Sequence, residues 1–185
     1  MIGDKKGFTI LELLITITVF SIVITSAIGL FGSALSNQKK LTAEADLLGG
    51  ASYATEYISR ALRMARKDMQ GECIMQKDNF ATFEQNSRIR FLNYENKCQE
   101  FLLDDERIIT KKSYDGDSAN LGSGYLLTST SSLLVVNLNF IIKGNNQNDN
   151  LQPRVNFALD LRSNISDTIL KVQTGVSQRE LDFAY

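Results

Sequence analysis

An unbroken apolar run, FTILELLITITVFSIVITSAIGLFGSAL from Phe8 to Leu35, constrains this chain more than any other feature. A helix crosses a hydrocarbon core with about 20 consecutive apolar residues, so the run is long enough to span a membrane. The remainder is polar and rich in Asn and Ser, as in an ordinary soluble domain. The two parts are expected to live in different solvents. Lys5 and Lys6 precede the run, and Lys39 and Lys40 follow it. The short basic leader is the flank that the positive-inside bias keeps in the cytoplasm, which predicts a single pass with the N-terminus inside.

Glu12 does not fit a lipid-facing run. A carboxylate there costs about 3 kcal/mol on insertion scales and is a functional signal by default. No Lys or Arg lies between Lys6 and Lys39, so the partner of Glu12 must come from outside the segment. Two simpler readings compete. A removable secretory signal peptide would use the small residues Thr25-Ser26-Ala27 or Gly32-Ser33-Ala34 for cleavage, but such peptides have apolar cores of roughly 7 to 15 residues. A plain single-pass anchor accounts for the length and leaves Glu12 unexplained.

The stretch Lys5-Lys6-Gly7-Phe8-Thr9-Ile10-Leu11-Glu12-Leu13-Leu14 closely resembles the processing site of bacterial type IV prepilins and type II secretion pseudopilins. Ile10-Leu11 stands where that family commonly has Leu-Ile, which alters shape and not polarity. The resemblance implies a leader over residues 1–7, cleavage between Gly7 and Phe8 by a membrane prepilin peptidase, and N-methylation of Phe8. It also supplies the missing charge, since Glu12 would pair with the Phe8 α-ammonium of a neighbouring subunit. A buried carboxylate and a buried ammonium are each costly alone and tolerable together. Glu12 lies about one helical turn beyond Phe8, so pairing between chains predicts a one-turn axial stagger. The implied partners are the prepilin peptidase, other pilins or pseudopilins through the N-terminal helix, and the inner-membrane assembly platform. The implied location is the inner membrane, followed by an extracytoplasmic filament.

Beyond the run, Leu41, Ala45, Leu48, Thr55, Ile58, Leu62, Ala65 and Met69 recur in steps of three and four, with an interruption near Ala51 and Ser52. This predicts an amphipathic second half of the same helix over residues 36–70, after a transmembrane half over residues 8–35. Its polar face, with Glu44, Asp46, Glu56, Arg60, Arg63 and Arg66, is either a solvated surface or a partner-binding stripe. Gly29, Gly32 and Gly49-Gly50 are candidate bends or close-packing positions. Many major pilins carry a proline where Gly29 stands.

From Arg88 the period changes to two, predicting an extracytoplasmic β-domain over residues 71–185. Arg88 to Tyr94, Cys98 to Leu103 and Arg107 to Lys111 read as a meander of antiparallel strands with hairpin-length connections. Leu134, Val136, Leu138, Phe140 and Ile142 are expected on one face of a later strand, and Val155, Phe157, Leu159 and Leu161 on one face of the next. A polar loop, Gly144 to Asn150, reverses the chain between them, and a final strand is expected from Thr168 to Ser177. The stretch from Lys171 to Arg179 resembles the ending of minor subunits, the J-type pseudopilin and W-type minor pilin group. The fold class expected is therefore α+β, the type IV pilin fold, with a long helix packed on a C-terminal antiparallel sheet.

The absence of histidine removes Ser-His and Cys-His nucleophile pairs and most zinc sites. No nucleophile elbow or phosphate loop occurs, so no enzyme activity and no cofactor are expected. Asp115, Asp117 and Ser118 alternate somewhat as calcium ligands do, and Asp149 lies in an amide-rich turn, yet no bidentate Glu completes a loop, and no metal is assigned. Cys73 and Cys98 can form a disulfide if this domain leaves the cytoplasm, and two buried free thiols are the alternative. Basic residues interleave with acids and tryptophan is absent, so nucleic acid is not an expected partner. A minor structural subunit that initiates, caps or is incorporated into a type IV pilus or type II secretion pseudopilus is the leading reading. An exposed module for adhesion or DNA uptake is the alternative.

Overall fold

The Thr9 hydroxyl accepts a hydrogen bond from the Glu12 backbone N–H at 3.3 Å, capping a helix, α1, that runs unbroken from Ile10 to Arg63. The structure, a computed structural model, describes residues 7–128, 133–145, 151–165 and 168–180. Lys5, Lys6 and Asp149 lie outside the described residues. Two compact units are present, Met1–Thr42 and Ala43–Tyr185. In the first, α1 stays helical through Gly29 and Gly32. Neither glycine has another group close enough to meet an added methyl.

The second unit is α+β. Its part of α1 packs on two antiparallel sheets rather than the single sheet expected. Strands β1 (Ala81–Phe83), β2 (Arg88–Leu92), β3 (Cys98–Asp104), β4 (Arg107–Lys112) and β5 (Tyr125–Leu126) form a meander in chain order. Strands β6 (Leu133–Lys143), β7 (Arg154–Ser163) and β8 (Ile169–Ser177) form the other sheet, also in chain order. The sheets meet at an edge, where Val135 N–H donates to the Glu106 carbonyl and Phe140 N–H to the Asn86 carbonyl, both at 2.8 Å. The turns of the first sheet thus cap β6.

The core joins α1 to both sheets through Phe80, Phe91, Phe101, Phe140 and Phe157, each buried. The helix face that enters it is Ala43, Leu47, Ala51, Ala54, Ile58 and Leu62. This corrects the expected face at its N-terminal end, where Leu41 is 66 % exposed and Leu48 is 55 % exposed. Small residues win there because the second sheet comes close. A methyl added to Gly50 would lie 2.5 Å from Leu133 Cδ1. Gly50 is therefore a close-approach residue and not a bend.

Helix α1 ends seven residues before Gln70, the expected end, because the chain that follows is recruited elsewhere. Arg66 bridges to Leu92 on β2. Buried Asp68 then gathers four backbone N–H groups: Oδ1 accepts from Gln70 at 3.0 Å and Gly71 at 2.7 Å, and Oδ2 from Cys73 at 2.8 Å and Ile74 at 3.0 Å. Cys73 is joined by a disulfide to Cys98 on β3, with their Cα atoms 5.3 Å apart. Ala65 and Met69 are consequently not helical, although Ala65 still reaches the core.

In β6 the expected face is right for Leu138, Phe140 and Ile142 and wrong for Leu134 and Val136. A bulge between Val135 and Asn137 reverses the alternation. Leu133 and Val135 are buried in their place, and Val136 is 50 % exposed. The β7 face of Val155, Phe157, Leu159 and Leu161 is buried throughout. The β3–β4 hairpin turns on Asp105 and Glu106, whose φ angles of 47° and 56° are both left-handed. An Asn-Gly pair suits this turn better. The double change Asp105→Asn with Glu106→Gly should stabilise the second unit by about 1 kcal/mol in urea titration, because it relieves two strained side chains on an exposed tip.

Candidate functional site

Gly7 and Phe8 precede the cap, and Phe8 is 67 % exposed. With Thr9 as cap, Glu12 falls at the third helical position. Thr9-Ile10-Leu11-Glu12 thus has the spacing of a capping box, a signal that the reading by hydropathy passes over. The carboxylate sits in the first turn, where the helix dipole favours negative charge.

Beyond the cap, each hydroxyl in the apolar run returns to its own helix. Thr16, Thr18, Ser21, Thr25, Ser26 and Ser33 each donate to a carbonyl four residues back, at 2.8 to 3.1 Å. The run has a mean hydropathy of 2.4 in its most apolar window, none of it buried within the chain. Backbone and hydroxyl groups are therefore satisfied without water, as a lipid-facing helix requires. Among the described residues, no ion pair reaches Glu12.

The second unit contains no grouping of His, Cys, Asp or Glu suited to a metal among the described residues. Asp115 and Asp117, weighed above as ligands, instead hold a turn. Asp115 accepts from the Asp117 N–H at 3.1 Å and the Asn120 side chain at 2.8 Å, while Asp117 caps the short 3-10 helix Ser118–Asn120. A cavity of about 520 Å³ lies between α1, the turn after β2, and strands β3 and β4. It is lined by Tyr53, Tyr57, Tyr94, Arg60, Gln99 and Lys112, among others. Tyr53 and Tyr57 lie one turn apart on α1, and the fold brings Tyr94 to the same cavity. Tyr94 donates to Glu95 Oε1 at 2.9 Å, and this hydrogen bond to a carboxylate pushes its phenol above the ordinary value. Arg60 is held by Glu56 at 2.6 Å. The cavity offers an aromatic wall with polar groups and no nucleophile with an adjacent base.

Comparison with protein families finds a match to the prokaryotic N-terminal methylation motif over residues 3–28. The match spans Gly7, Phe8 and Glu12 together with most of the apolar run. No curated protein and no solved structure was found to match the chain. The motif and the long helix on antiparallel sheets make the chain pilin- or pseudopilin-like, a structural protein processed at its N-terminus and not an enzyme.

Proposed function

We propose that this pilin-like chain is a minor subunit of a type IV pilus or type II secretion pseudopilus. Prepilin peptidase cuts it between Gly7 and Phe8 and methylates Phe8, and Lys5 and Lys6 keep the leader in the cytoplasm until then. The chain waits in the inner membrane with its second unit outside. It enters the filament when Glu12 pairs with the Phe8 ammonium of a neighbour.

The observation that carries this reading is the contrast between Glu12 and its surroundings. The hydroxyls of the run are satisfied within the helix, while the carboxylate has no partner among the described residues. A subunit-to-subunit ion pair gives it one. The minor role draws support from the late strands β6 and β7 and from the likeness of the Lys171–Arg179 ending to minor subunits. Mass spectrometry of the protein from its native membrane should find a chain starting at N-methylated Phe8. A chain starting at Met1, Ile28 or Leu35 would count against the scheme. Immunoelectron microscopy should place label at filament ends or at sparse points, and label along the whole length would overturn the minor role.

The Tyr53, Tyr57 and Tyr94 cavity favours a second reading, an exposed module that binds a ligand while carried on the filament.

A further inference from the structure

The tyrosine cavity lies wholly within the second unit and combines anchored aromatic rings with exposed ones. Tyr57 is the anchored part of its wall, with its ring edge-on to buried Phe101 at 6.0 Å between centroids. Tyr53, one helical turn earlier, continues the wall at 6.2 Å from Tyr57 and is 57 % exposed. Tyr94 joins from the turn after β2 and is 53 % exposed. The Tyr94 hydroxyl is fixed by Glu95, whereas those of Tyr53 and Tyr57 make no hydrogen bond among the described residues.

Beside the rings lie two buried amides, Asn93 and Gln99, each 2 % exposed. Asn93 Oδ1 accepts from the Glu95 and Lys97 N–H groups at 2.9 and 3.0 Å, and its Nδ2 donates to Gln99 Oε1 at 3.2 Å. Gln99 Nε2 in turn donates to Thr110 Oγ1 at 3.3 Å. A side-chain amide nitrogen carries two N–H groups, so each of these residues fixes its orientation with one and keeps the other unspent. A buried donor without an acceptor is costly, and the cavity that both amides line is the space from which an acceptor can come. Lys112 adds a cation with no ion pair among the described residues, and Arg60 with Glu56 adds a joined donor and acceptor.

We infer that this cavity binds a saccharide, with one pyranose ring lying against the tyrosines. This rests on the reading of the second unit as an exposed module that binds a ligand. The apolar C–H face of a pyranose matches the face of a phenol ring, and the hydroxyls around its edge both donate and accept. The lining calls for both at once: the spare amide N–H groups and Lys112 need acceptors, while the Glu56 carboxylate and the phenol oxygens take donors. A volume of about 520 Å³ falls within the range of small-ligand sites. Single-stranded nucleic acid also stacks on aromatic rings beside cations. Here, however, Glu56 lies 2.6 Å from Arg60 and Glu95 lies 2.9 Å from the Tyr94 hydroxyl, so carboxylates would meet the phosphates. A proline-rich peptide stacks on tyrosines too, but it brings carbonyls and few donors.

The test uses the full-length chain in a detergent without a sugar headgroup. Maltotriose, cellotriose, chitotriose and lactose are each immobilised beside a polyproline peptide and an oligothymidylate. At least one saccharide should retain the chain and release it to the same sugar in solution. In saturation-transfer NMR the C–H protons of that sugar should receive magnetisation from the aromatic resonances. Tyr53→Ala and Tyr94→Ala should each weaken its binding about tenfold. Both rings are more than half exposed, so the melting temperature should stay unchanged, and Tyr53→Phe, which keeps the ring, should still bind. Retention by no saccharide, retention by polyproline or oligothymidylate alone, or binding unaltered in Tyr53→Ala would overturn the inference. In assembled filaments Tyr53→Cys should react with a maleimide, the chain's own two cysteines being joined to each other. Protection of that thiol would reject the exposed-module reading beneath the inference. Reaction of the thiol in a chain that no saccharide retains would reject the inference alone.

Discussion

Asp68→Ala should lower the melting temperature of the second unit by about 10 °C, followed by near-ultraviolet tyrosine signal in the detergent-solubilised chain. The aspartate is 3 % exposed and accepts from four backbone N–H groups. Alanine leaves all four without that acceptor. Those of Cys73 and Ile74 belong to buried residues that water does not readily reach. At about 1 to 3 kcal/mol for a buried unsatisfied donor, the loss is about 3 kcal/mol. For a unit of this size that is roughly 10 °C. Asp68→Asn keeps one carbonyl oxygen and should fall between the two. The disulfide limits how far the loop can escape, since closing a loop of this separation contributes about 3 kcal/mol through the unfolded state. Reduction should therefore deepen the Asp68→Ala defect. Equal melting of the variant and the parent protein would show that the loop is held by its disulfide alone.

Glu12→Gln should be cleaved and methylated like the parent chain, yet enter filaments at least about tenfold less often, measured as the filament-to-membrane ratio. Glutamine keeps the shape of the side chain and its place in the first helical turn. What it removes is the charge that would neutralise a neighbour's Phe8 ammonium. Breaking a buried pair on one side costs about 3 to 5 kcal/mol, more than enough for that ratio. On the proposed scheme the ammonium exists only after cleavage at Gly7, so processing would have to come first. A chain blocked at cleavage should be as defective as Glu12→Gln, and the two defects should not add. Normal incorporation of Glu12→Gln would leave the capping position beside Thr9 as the carboxylate's only role.

Much of this architecture is legible in the sequence, and the misses have physical causes. The apolar run, the Gly7-Phe8 boundary and Glu12 are local features that no tertiary contact needs to supply. Strands β2, β4, β7 and β8 follow their alternation, whereas β3 is buried on both faces from Cys98 to Leu102. The helix face departs from the expected one because alanine and glycine signal burial weakly, whereas leucines at 41 and 48 signal it strongly and stay exposed. The helix end at Arg63 depends on the β2 edge and on Asp68, both partners distant from the local pattern. Strand β6 loses its parity at a bulge that alternation cannot reveal. The three-residue β1 and two-residue β5 are too short to show a period. Thr9 could have been found from the spacing to Glu12. The tyrosine cavity could not.

The hydroxyls along the first part of α1 have one more consequence, for the passage from lipid to filament. Each is already bonded to its own helix, so leaving the bilayer for the company of other helices makes and breaks no hydrogen bond along that length. On the proposed scheme the helix would exchange one apolar solvent for another with no change in its own hydrogen bonding, in either direction. What tips the exchange is then a single charge near its start. On that scheme, withdrawal into the membrane would have to break the one ion pair of Glu12, while the hydroxyls of the helix would oppose neither direction.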